Sequence, residues 1–190
     1  MRAMTRLDVA HGASHRLQVA ANTVYKQYRN GQAIWVYCTD PKRLASFSKM
    51  LWSIEDTEFV PHHSILEGVG SCLVQLCQED PSQYLLEWEK GVAEQVQTMN
   101  EQANSEVSPA SENKSANLTD EQSPASTAKG VVKAKMPLLL NLDLNCPPNF
   151  TAFDRILEIV STHPTDQEYA RQRMQQYKQA GLKPAFHKLG

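Results

Sequence analysis

Apolar positions fall into short blocks whose spacing changes along the chain. Leu17, Ala21, Val24 and Tyr28 recur at helical intervals, which predicts a helix over Ser14 to Arg29. Asn30-Gly31 then supplies a stop. The next block, "AIWVYC" from Ala33 to Cys38, is continuous and rich in strand formers, as expected for a strand buried in a parallel sheet. Asp40 can cap a following helix that has Pro41 at its first position, and Leu44, Phe47 and Leu51 mark the inward stripe of that helix. "SCLVQLC" and "LLLNLDL" predict two more strands, and "MTRLDVA" is the candidate first strand.

The last third reads as helical. Asn149 is placed to cap a helix whose inward residues are Phe150, Phe153, Leu157 and Val160. In "PTDQEYARQRMQQYKQAG", Thr165 and Glu168 have capping-box spacing and Gly181 closes the element. Ala170, Met174 and Tyr177 then face inward, while Arg171, Gln175 and Lys178 share another face. This order of elements predicts an α/β fold, a three-layer sandwich around a mainly parallel sheet.

Composition shifts near Gly91. From there to Lys135 aromatic residues are absent and Ser, Ala, Glu, Asn and Gln dominate. Too few apolar side chains remain to offset the entropy of ordering, so about 96–133 reads as a disordered insertion, with a helix possible over Val92 to Met99. Long surface insertions cost little, so residues 1–190 are read as one interrupted domain.

Charge and chemistry narrow the function. The net charge of -2 at pH 7 argues against a general nucleic-acid binder, so any DNA contact is expected to be local or indirect. No apolar run approaches the length of a spanning helix, and the amino-terminal residues lack a signal-peptide block, so a cytoplasmic location is expected, with no membrane partner. Neither G-x-G-x-x-G nor G-x-x-x-x-G-K-[ST] occurs, so a nucleotide-binding fingerprint is missing. The glycines of Glu67–Ser71 are read as a flexible approach to a strand, with an anion-binding nest as the sharper alternative.

His62 and His63 are adjacent and point apart. His11 and His15 have i,i+4 spacing without a third ligand, and Cys38, Cys72, Cys77 and Cys146 form no C-x-x-C. No metal, cofactor or disulfide is therefore expected. Asp143 is read as a water-exposed carboxylate at a strand end. A small α/β enzyme acting on an acidic or phosphorylated metabolite would have to build its pocket there or at Glu67–Ser71. Trp52 and Phe59, followed by Val60 and Pro61, either complete a small core or form an aromatic anchor for a partner. Arg171 and Lys178 are either solvated charges or a clamp for an acidic peptide.

The segments "GQAIWVYCTD", "LWSIEDTEFVPHHSILEG" and "YARQRMQQYKQAG", in this order and spacing, resemble the chi subunit family of bacterial DNA polymerase III. That resemblance implies a Rossmann-like fold without the nucleotide fingerprint, and no catalytic residues. DNA-directed DNA polymerase activity, a nucleotidyltransferase reaction, would be linked to the chain only through its holoenzyme. The implied partners are the psi subunit and the acidic, phenylalanine-ended tail of single-stranded-DNA-binding protein. Trp52, Phe59, Val60 and Pro61 match the psi-facing region. Val160, Arg171, Met174, Gln175 and Lys178 fall at the tail site, where Arg171 would pair with carboxylates and Val160 would pack on the terminal ring.

Overall fold

The computed structural model describes residues 4–55, 59–94 and 135–189. The expected insertion, and the part of its leading helix beyond residue 94, lie outside these. In chain order the elements are β1 (Arg6–Ala13), α1 (Arg16–Arg29), β2 (Ile34–Tyr37), α2 (Pro41–Trp52), β3 (His62–Ser64), β4 (Val74–Cys77), α3 (residues 85–94), β5 (Leu138–Asn141), β6 (Arg155–Ser161), α4 (Pro164–Gln179) and β7 (Pro184–Lys188). The strands form one sheet in the order β3-β4-β2-β5-β6-β1-β7, and each pairing is parallel.

Helices cover both faces, which is why the central strands carry no polar alternation. In β2, Ile34 and Val36 point to the face where α1 and α2 bury Ala21, Val24, Leu44, Phe47 and Leu51. Trp35 and Tyr37 point the other way, toward Leu85, Trp88, Ala170, Met174 and Tyr177 of α3 and α4. The Asp40 carboxylate caps α2 by accepting hydrogen bonds from the amides of Lys42 and Arg43, with Pro41 at the start of the helix.

The structure differs from the expectations at several places. Residues 155–161 are a strand, not part of a helix capped by Asn149. A single 3-10 turn, Phe150–Ala152, precedes β6, and Asn149 sits at φ 48° with its side chain donating to Asp80. The helix-like spacing of Phe150, Phe153, Leu157 and Val160 misled because 156–161 is buried on both faces. Periodicity alone cannot separate such a run from a helix. Second, α4 begins one residue before Thr165, at Pro164 after His163, and no side-chain cap bond forms. The nearby Asp166 instead accepts from the amide and hydroxyl of Ser161. Gly181 does close the element, at φ +85° just past Ala180. Third, β3 and β7 went unread. They are the two edge strands, one only three residues long and the other opened by proline, both ordinary ways of blunting a sheet edge. His11 also belongs to β1, so it shares no helical turn with His15.

Candidate functional site

A groove of about 700 Å³ opens between α4 and the β1–β7 edge. Val9 and Val160, from neighbouring strands, form its floor with Ala170 and Met174 of α4. Arg171, Gln175 and Lys178 stand along the helix rim, while His11 and Phe186 form the opposite wall in edge-to-face contact. Val160, Arg171, Met174, Gln175 and Lys178 thus line one groove. Arg171 is not sealed in the core: its side chain is 69% exposed and donates from Nη1 to Glu168 Oε2 at 2.8 Å. Arg171 and Lys178 are seven positions apart on one helix, roughly 10 Å along the axis, with Met174 between them. A helix face of this kind offers two cationic points around an apolar floor.

What fixes α4 is a buried network that the sequence reading missed. Glu158 lies in the middle of β6 and is fully buried. It accepts from Arg173 Nε at 3.1 Å, from the Tyr177 hydroxyl at 2.7 Å and from Asn141 Nδ2 at 2.8 Å. Arg173 Nη1 donates to the Leu144 carbonyl, while its other terminal nitrogen lies 3.1 Å from Glu158, at ion-pair distance without hydrogen-bond alignment. Burial, with the carboxylate beside it, pushes the Tyr177 phenol far above its ordinary value, so the hydroxyl stays a neutral donor. The available signal was a lone glutamate inside an Ile/Leu/Val strand, facing a helix with an arginine at inward spacing. Phe186 and His11 were missed because they sit on, or beside, an edge strand with weak patterning.

At the opposite edge of the sheet, Trp52 and Phe59 stack with centroids 4.9 Å apart and planes 24° apart. They are 54% and 50% exposed, so neither completes a core. His62, on β3, lies under Trp52. Its Nδ1 is 2.7 Å from the Val60 carbonyl, which can only accept, and its Nε2 is 2.7 Å from the Ser48 hydroxyl. Burial holds the His62 pKa below its usual value, favouring a neutral ring that donates at one end and accepts at the other. Pro61 is partly exposed, but Val60 is fully buried and pairs its amide with the Leu51 carbonyl. Val60 therefore supports this patch from inside and presents no contact surface.

In open parallel sheets, small ligands bind beyond the carboxyl ends of the strands. Here a smaller opening of about 330 Å³ lies between Arg16, Arg43, Ser161 and Asp166, and the two arginines are engaged with backbone carbonyls. Arg16 donates to the carbonyls of Ile159, Asn141 and Asp143, and Arg43 donates to that of Leu142. Asp143 is buried, not water-exposed as expected, and accepts from the amide and hydroxyl of Thr39 and the amide of Asn145. Burial alone would raise its pKa, but these hydrogen bonds outweigh burial and hold it below the usual carboxylate value. It is a loop tie with no free base character. In the Glu67–Ser71 loop, the Gly70 amide donates to Gln75, whose side chain donates back to the Gly68 carbonyl. Among the described residues, no group of three or more His, Cys, Asp or Glu could hold a metal ion, and no helix is long and apolar enough to cross a membrane.

Fold and site together define a parallel-sheet α/β protein with an open groove at one edge of the sheet and an exposed aromatic stack at the other. The chain matches the family described as DNA polymerase III chi subunit, HolC, over residues 4–117 and 104–185. It belongs to that family. It is also 24% identical over 193 aligned positions to the DNA polymerase III subunit chi of Pseudomonas aeruginosa, with 98% of each chain covered.

Proposed function

We propose that this chain is a non-catalytic accessory subunit of the DNA polymerase III holoenzyme in the cytoplasm. It joins the clamp loader, through the psi subunit, to the acidic carboxyl-terminal tail of single-stranded-DNA-binding protein during DNA replication. Contact with DNA is then mainly indirect, and the layered fold is of the Rossmann-like kind without a nucleotide site.

The observation that carries this reading is the groove on α4: an apolar floor at Val160 and Met174 beside the exposed cations Arg171 and Lys178. The terminal apolar side chain of the tail packs on that floor while its carboxylates meet the cations. Gln175 lies between the cations on the rim and offers amide donors. The stacked Trp52–Phe59 pair, with Pro61 beside it, is the psi-facing surface.

Binding of a synthetic tail peptide to wild-type and Arg171→Ala protein, at low and moderate salt, tests the reading. Losing a charge-assisted contact at an exposed rim should weaken binding roughly three- to fivefold at low salt, and the difference should shrink as salt rises. Equal affinity for both proteins at both salts removes this groove as the tail site.

A further inference from the structure

We infer that Glu168 lowers the groove's affinity for a ligand carboxylate by competing with it for Arg171; this rests on the tail-binding reading above. Glu168 and Arg171 lie three positions apart on the outer face of α4, and their 2.8 Å pair occupies one edge of the guanidinium. An incoming carboxylate that takes both parallel donors of Arg171 must displace Glu168 and then hold its own charge close to it. An exposed pair of this kind is worth at most about fivefold in an equilibrium constant, enough to weaken a ligand but not to close the site.

The penalty falls equally on every ligand that uses Arg171. A ligand that also rests an apolar side chain on Val160 and Met174, and reaches Lys178, has further contacts that keep it bound despite the penalty. The preference for a carboxylate next to an apolar end group comes from those contacts, and Glu168 sets how tightly such a ligand is held. The other groups facing Arg171 from the groove do not duplicate this role: Gln167 and Gln175 are uncharged, and Asp166 is turned away to Ser161 and Arg16.

The test is a double-mutant cycle on the full chain with Glu168→Gln, Arg171→Gln and the double variant. The probe is a synthetic acidic peptide ending in phenylalanine with a free carboxylate, and the dissociation constant is measured at low and moderate salt. Glu168→Gln should tighten binding about three- to fivefold at low salt. It should also steepen the salt dependence, because the wild-type competitor is itself screened. In the Arg171→Gln background the gain should vanish. Absence of tightening while Arg171→Gln still weakens binding overturns the competition and leaves the tail site standing. A gain that persists in the Arg171→Gln background also overturns it, because plain repulsion of an acidic peptide then suffices. No effect of Arg171→Gln overturns the tail site itself.

Discussion

Replacing Arg173 by methionine keeps most of the stem volume and removes the guanidinium from the Glu158 network. The Glu158 carboxylate would stay fully buried, with the Tyr177 hydroxyl and the Asn141 amide as its remaining donors. Breaking a buried pair by removing one partner typically costs about 3–5 kcal/mol, because an uncompensated charge is left in the interior. The Leu144 carbonyl also loses its Arg173 donor, which places the estimate toward the upper end of that range. For a chain of this length about 1 kcal/mol moves the midpoint of thermal unfolding by roughly 2–4 °C, so a drop on the order of 10 °C or more is expected. Differential scanning calorimetry and urea denaturation measure it. The control is the double variant Glu158→Leu, Arg173→Met, which removes both charges and should be less destabilised than Arg173→Met alone. If Arg173→Met loses less than about 1 kcal/mol, or the double variant is the worse of the two, the network does not hold α4 in the way argued.

The surface patch and the strand ends supply two further expectations. Changing Trp52 and Phe59 together to alanine removes one half-exposed stack, so the fold should lose only about 1 kcal/mol, while binding to purified psi should weaken at least tenfold by calorimetry; unchanged psi binding would move that interface elsewhere. Asp8 is buried among Arg6, Arg155 and His187. Burial alone would raise its pKa, but the bonds from His187, Arg155 and Arg6 outweigh burial and hold it below the ordinary carboxylate value. Its folded pKa is thus depressed, so its contribution is present above the ordinary carboxylate pKa and lost as pH falls through the lower folded value. Thermal melts of wild type and Asp8→Asn should therefore differ most above the ordinary carboxylate pKa and converge only as pH falls through the lower folded value; a gap that ignores pH would show that shape, not charge, is responsible.

Much of the fold could be read because the central strands and two of the helices state themselves locally. "AIWVYC", the Asp40-Pro41 cap and the Leu44-Phe47-Leu51 stripe each carry a mechanism that needs no distant partner. The failures have the opposite character. β6 is polar only at its two ends and at Glu158, and that glutamate makes sense only once Arg173 and Tyr177 arrive from α4. Asp143 reads as a strand-end carboxylate until Thr39, more than a hundred residues away in sequence, closes over it. The helix rim of the groove, Arg171, Gln175 and Lys178, was legible as one helical face. Its far wall, His11 and Phe186, depends on β7 pairing with β1, a contact between the two ends of the described chain.

The placement of the two surfaces decides how they can act together. Trp52 and Phe59 lie beside β3, whereas the groove lies beside β1 and β7 at the other end of the sheet. Six interstrand steps of about 4.8 Å put these edges roughly 29 Å apart. The surfaces also belong to opposite layers, since α2 packs on one face of the sheet and α4 on the other. Between them stand close-packed apolar strands with no second arrangement in view, and coupling between sites needs an element that has two states. Partners at the two edges should therefore bind additively, each dissociation constant changing less than about twofold when the other site is full. Measuring tail-peptide affinity with and without saturating psi checks this directly. A larger change in either direction would mean that the subunit transmits a signal between its edges, and that the sheet is not the inert spacer its packing describes.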